Sequence, residues 1–129
     1  LVAVFNQIPT TVRVAVEPRH DSWFTDEVRV LLTEHDVALC LADVASRPVG
    51  PRWKTAGWTF LRLHSGRAQP HPCYGRTALR SWSRRLAVEW SDGQVSVFFN
   101  NDTNGCAVRD ARQFARLARA DSWDPTRVP

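Results

Sequence analysis

Three short stretches of this chain gather side chains of the kind that chemistry needs. Glu17 is followed closely by Arg19, His20 and Trp23; Arg62 and His64 stand two apart; Asn100, Asn101 and Asp102 run consecutively towards Gly105. A carboxylate such as Glu17 can act as a general base or metal ligand, with Arg19 tuning its proton affinity. His64 can move a proton near neutral pH, or it can equally be a hydrogen-bonded packing residue. Arg19 and Arg62 can grip phosphate or carboxylate with paired N–H groups. If Arg62 is buried it needs a partner, and Glu17 or Asp102 is the natural one. Asn100, Asn101 and Asp102 lead into a helix start, where free backbone N–H groups favour anions, although such residues also serve as ordinary turn and cap residues. Asp43, at the end of another apolar run, completes the set.

These side chains sit at the ends of regular elements. Apolar or β-branched runs at 13–17, 38–43, 59–64 and 94–100 each end on a polar residue and read as strands. Helical spacing of Phe24, Val28, Leu31 and Leu32 predicts a helix over 25–35, with Thr25 or Ser22 as cap and Asp26 and Glu27 at its positive end. Leu79, Trp82, Leu86 and Trp90 form one stripe of a helix over 78–90. Ala107, Ala111, Phe114, Leu117 and Ala118 do so for 107–120. The segment 44–58 has Gly and Pro breaks and reads as a long loop or a very short helix. Strands alternating with helices predict a parallel sheet with right-handed crossovers.

Parity along the strands favours a barrel over an open sheet. Leu61 and Leu63 oppose Phe60, Arg62 and His64, and Val95, Val97 and Phe99 oppose Ser96, Phe98 and Asn100. Val12, Val14 and Val16 likewise oppose Arg13, Ala15 and Glu17. An open sheet covered on both sides would be apolar on both. One aliphatic face and one mixed face suit a barrel with helices outside and a polar mouth at the strand ends. Asp43 breaks this rule: it shares the parity of Leu39 and Leu41, so alternation points it outward unless a bulge turns it.

Composition bounds the function classes. The chain has 129 residues, 43% hydrophobic and 23% charged, as expected of one globular unit. No apolar run approaches the ~18 residues of a membrane span. No basic residue precedes the apolar start, so no secretory signal is visible. There is no Met, and a piece of a longer protein is the simplest expectation. The net charge of +4 comes almost wholly from arginine, since Lys54 is the sole lysine. The arginines are scattered along the sequence, which disfavours a nucleic-acid partner. Cys40, Cys73 and Cys106 lack CxxC spacing; Cys40 reads as a small core residue. An odd count without a secretory signal points to a reducing compartment, hence the cytoplasm. Trp53, Trp58, Trp82, Trp90 and Trp123 read as packing, with Trp23 as a candidate pocket wall.

The stretches VAVEPRHDSWF at 14–24, ALCLAD at 38–43, FLRLH at 60–64, CYGRTALRSW at 73–82 and VSVFFNNDTNGCAVRDAR at 95–112 resemble the family catalogued as domain of unknown function 72. The resemblance implies a TIM-like (β/α)8 barrel of roughly twice this length. This chain would then be its C-terminal half, with four parallel strands and helices on the outer face. It also implies that Glu17, Arg19, His20, Asp43, Arg62, His64, Asn100, Asn101 and Asp102 occupy the family's signature positions. Leu41, Ser65 and Asp110 depart from the family pattern. The resemblance implies a fold rather than a reaction.

The leading expectation is an enzyme acting on a small polar or anionic, phosphate- or sugar-like substrate at the barrel rim. Glu17, His64 and Asp102 are its candidate catalytic residues. Arg19, His20, Trp23, Asp43, Arg62, Asn100 and Asn101 are its candidate binding residues. No cofactor is required. A hydrolase or isomerase using Mg²⁺, Mn²⁺ or Zn²⁺ on Glu17, Asp43, His64 and Asp102 is the first alternative. A nucleic-acid-associated protein and an inactive fragment are the others. The missing N-terminal half, or self-association, is expected to complete the barrel.

Overall fold

In the computed structural model, which describes residues 1–129, helices alternate with strands except over residues 38–65, where no helix intervenes. The order is α1 (Val2–Phe5), β1 (Ala15–Val16), α2 (Asp26–Glu34), β2 (Ala38–Leu39), β3 (Leu41–Val44), β4 (Arg47–Val49), β5 (Trp58–Ser65), α3 (Arg76–Glu89), β6 (Gln94–Phe99) and α4 (Cys106–Ala120). β1 pairs in parallel with β2, β3 with β5, and β5 with β6. Cys40 alone separates β2 from β3, so the parallel run reads β1, β2–β3, β5, β6 in chain order.

The helices follow their sequence signals. Thr25 accepts a hydrogen bond from the Val28 N–H at 3.4 Å and caps α2, with Asp26 and Glu27 in the first turn. Leu79, Trp82 and Leu86 are the buried stripe of α3, and Phe114, Leu117 and Ala118 that of α4. Both stripes pack on Leu41, Leu61 and Leu63 of the sheet, and Trp123 packs against this main core. Leu61 and Leu63 are fully buried, which contributes about 1.5–3 kcal/mol for each side chain. A smaller core of Phe5, Leu32, Val37 and Leu39 fixes α2 under β1, and Trp53 packs on its edge.

The segment 44–58 differs from the expected loop. Its residues Arg47–Val49 form β4, antiparallel to β3, so the sheet is mixed. Ala45 and Ser46 turn the chain at φ 54° and 57°. Two adjacent left-handed residues are what a tight hairpin turn needs. The usual Asn-Gly signature is missing, which hid the hairpin from sequence reading. Pro48 is tolerated because β4 lies at the sheet edge.

A second correction concerns cysteine. Cys73 and Cys106 form a disulfide joining the loop before α3 to the start of α4, and only Cys40 is free. The odd count and the absence of CxxC spacing gave no sign of this pairing. The two half-cystines lie far apart in sequence and meet only because α3 and α4 follow adjacent strands. No helix is long and apolar enough to cross a membrane.

Candidate functional site

Glu17, Arg62, His64 and Asn100 come together at the C-terminal ends of β1, β5 and β6. Alternation along β5 sends Leu61 and Leu63 into the helix-side core and leaves Arg62 and His64 on the opposite face. The Asn100 N–H donates to the Leu63 carbonyl at 2.9 Å, which extends the ladder by one residue and sets Asn100 beside Arg62.

The Glu17 carboxylate is the hub. Its Oε2 accepts from Arg62 Nη1. Its Oε1 lies 2.8 Å from His64 Nε2 and 3.5 Å from Arg19 Nη2. Arg62 Nε donates to Asn100 Oδ1 at 3.1 Å. Glu17 is only 14% exposed, against 29% for Arg62 and 20% for His64, whereas Arg19 is 76% exposed. Burial by itself would raise the Glu17 pKa. The hydrogen bonds and charges of Arg62 and His64 outweigh that and hold the carboxyl below its ordinary value.

Cys40 lies beneath this group, its Sγ 3.9 Å from Glu17 Oε2. Burial, then the Glu17 charge, pushes the thiol up to about 12, so it is a neutral packing group and not a nucleophile. Phe60 and Phe98 lie on the same face as Arg62 and stack with ring centres 4.7 Å apart. Phe98 is 53% exposed, leaving an apolar platform beside the polar cluster. Neither aromatic was singled out from sequence as a site residue. Their parity with Arg62 and Asn100 was the available signal.

The remaining expected residues are placed elsewhere. Asp43 points to the helix side, as its parity requires. Its Oδ1 accepts from Tyr74 Oη at 2.9 Å and its Oδ2 from Trp82 Nε1 at 2.7 Å, in full burial. It therefore braces α3 against the sheet and is no part of the cluster that binding by Asp43 would need. Burial and the Asp43 charge raise the Tyr74 pKa and keep its phenol a donor. Asn101 is also buried, donating to Asp110 Oδ2 at 2.7 Å and to the Pro72 carbonyl at 3.2 Å. His20 caps a short 3₁₀ turn, Asp21–Trp23, by accepting from the Ser22 N–H at 3.2 Å. Trp23 is exposed on that turn. Asp102 is exposed and its carboxylate makes no hydrogen bond or ion pair.

These placements bear on the metal alternative. Asp43 and Asp102 do not join Glu17 and His64, and no group of three His, Cys, Asp or Glu side chains is arranged to hold an ion. Glu17 is instead paired with Arg62 and hydrogen-bonded to His64. The residues present do not fit a divalent ion.

Among curated proteins nothing matches this chain. Solved structures do. A DUF72 family protein from Thermotoga maritima MSB8 aligns with a TM-score of 0.77 at 22% identity, covering 90% of this chain and 49% of that one. A DUF72 family protein from Enterococcus faecalis V583 aligns at 0.69 and 20% identity, covering 84% of this chain and 49% of that one. A second structure of the Enterococcus protein gives 0.66 at 21% identity, over 92% and 52%. The chain thus spans about half the length of the structures it matches. These likenesses agree with the mixed α/β fold. The family described as "Protein of unknown function DUF72" matches from residue 1 to residue 129, and this chain belongs to that family.

Proposed function

We propose that this chain is the C-terminal half of a TIM-like barrel, and that the Glu17 cluster is its part of an active site for a small anionic, phosphate- or sugar-like substrate. The observation that carries the reading is the Glu17 carboxylate held between Arg62 and His64. Strand ends pointing one way and bearing such groups are where barrels of this kind do chemistry. Arg62 uses Nη1 and Nε internally, which fixes its plane and leaves Nη2 to receive a substrate oxygen. Glu17 orients the His64 ring through Nε2, so that Nδ1 is the atom that exchanges a proton with substrate. Arg19, more exposed, contributes long-range attraction for an anion, and the Phe60–Phe98 stack offers a face for the apolar side of a sugar ring.

The test is a titration of the intact protein with inorganic phosphate and with a sugar phosphate, followed through the His64 ring resonances. Saturable shifts are expected, lost in Arg62→Gln and kept in Arg84→Gln, which removes an equal charge elsewhere. Binding unaffected by Arg62→Gln, with only stability lowered, would reduce the cluster to a structural brace of the rim.

A further inference from the structure

On the other side of the sheet from Glu17, α3 and α4 pack side by side, and the seam between them opens outward as a groove of ≈ 520 Å³. Arg76 and Arg80 line it from α3, and Arg109, Arg112 and Arg116 from α4. No acidic and no aromatic side chain lines it. Arg76, Arg80 and Arg116 have no carboxylate within 4.0 Å, and Arg109 reaches only the buried Asp110 at 3.4 Å. Arg112 donates to the Pro129 carbonyl at 3.1 Å. So many guanidinium groups around one groove repel one another, and an anion bound between them relieves that repulsion.

The spacing narrows the ligand. Arg76 and Arg80 are one helical turn apart, about 6 Å along the axis, and Arg109, Arg112 and Arg116 follow one stripe over about 10 Å. Two facing rows of this pitch suit a chain of regularly spaced charges better than one compact anion. Guanidinium forks favour phosphate oxygens. The groove is also bounded by Gly105, the uncapped start of α4, and neither α3 nor α4 has a side-chain cap or an acidic residue in its first turn. Both helix dipoles therefore add positive potential at that end. Without an aromatic side chain the groove offers no platform for stacking bases.

We propose that the α3–α4 groove binds a chain of phosphates through its arginines, as the backbone of a polynucleotide or as inorganic polyphosphate, without reading bases. The scattered arginines of the sequence are drawn together here by two helices that follow neighbouring strands.

Fluorescence anisotropy of the intact protein tests this with a labelled single-stranded oligonucleotide, inorganic polyphosphate and polyglutamate as probe or competitor. Arg80→Gln/Arg116→Gln is expected to weaken binding about tenfold and to flatten its salt dependence. Arg84→Gln/Arg127→Gln, the same loss of charge outside the groove, is expected to change it less than about twofold. Arg80→Lys/Arg116→Lys keeps the charge and covers the case in which the Gln pair folds poorly; affinity between wild type and the Gln pair supports the fork. Binding of the oligonucleotide alone, or of polyphosphate alone, names the source. Equal weakening by both Gln pairs, polyglutamate competing as well as polyphosphate, or no binding of either phosphate chain would overturn the proposal.

Discussion

Glu17 and Arg62 meet across an intervening strand: β1 and β5 flank the β2–β3 run, and the two side chains join over Cys40. The contact needs a small residue beneath it, and Cys40 at the break between β2 and β3 is that residue. Because the pair bridges non-adjacent strands, it clamps β1 to β5 as well as shaping the candidate site.

The charge on Glu17 makes this clamp sensitive to acid. A carboxyl held below its ordinary value adds stability that is complete above the unfolded-state pKa and is lost as pH falls through the folded-state one. Glu17→Gln keeps an acceptor oxygen but removes the negative charge that Arg62 faces, and is expected to cost roughly 1–3 kcal/mol at neutral pH. A protonated Glu17 resembles Gln, so the two proteins should converge in stability as pH falls through the lowered folded-state pKa of Glu17. Urea unfolding of both across pH 3 to 7 checks this, and a difference independent of pH would count against it.

Asp43 belongs to the core. Replacing it with Ala strands the Trp82 indole N–H in full burial and leaves the Tyr74 phenol only the backbone carbonyl of residue 43, at 3.1 Å, to donate to, a loss of roughly 1–3 kcal/mol. Its distance from the Glu17 cluster predicts that Asp43→Asn, if folded, binds phosphate like the wild type. Denaturation and the phosphate titration together read out both halves of the claim.

Gly66 is fixed by a close approach. A Cβ there would lie 2.1 Å from the Cys73 carbonyl oxygen, a backbone atom that the neighbouring hydrogen bond from Gly66 N–H to Pro72 O at 2.7 Å holds in place. Gly66→Ala should therefore destabilise by about 1–3 kcal/mol through overpacking, whereas Gly57→Ala, with open space around its Cβ position, should be mild. Melting temperatures of the two variants decide the matter.

Phe98 and the β6 edge remain open to solvent. Expressed by itself, the chain of 129 residues should self-associate, because an exposed strand edge and an uncovered aromatic face both favour pairing. Sedimentation velocity over a range of concentrations tests this. A compact monomer that unfolds cooperatively would count against this.

The sequence by itself determined what is local and periodic. The α2 cap at Thr25, the buried stripes of α3 and α4, and the faces of β5 that separate Leu61 from Arg62 all follow from spacings within one element. The family's stretches carried the same information at longer range. The outward direction of Asp43 was also present in its parity, and no bulge turns it away from the Tyr74 and Trp82 side. Only the tertiary structure decided which distant partners meet. Glu17 with His64, Asp43 with Tyr74 and Trp82, Cys73 with Cys106, and the arginines of α3 with those of α4 each come from different elements. Their meeting depends on strand order and helix packing, which spacing along the chain does not encode. The hairpin at Ala45 and Ser46 was hidden for a different reason: left-handed turns leave a sequence mark only when Gly or Asn adopts them.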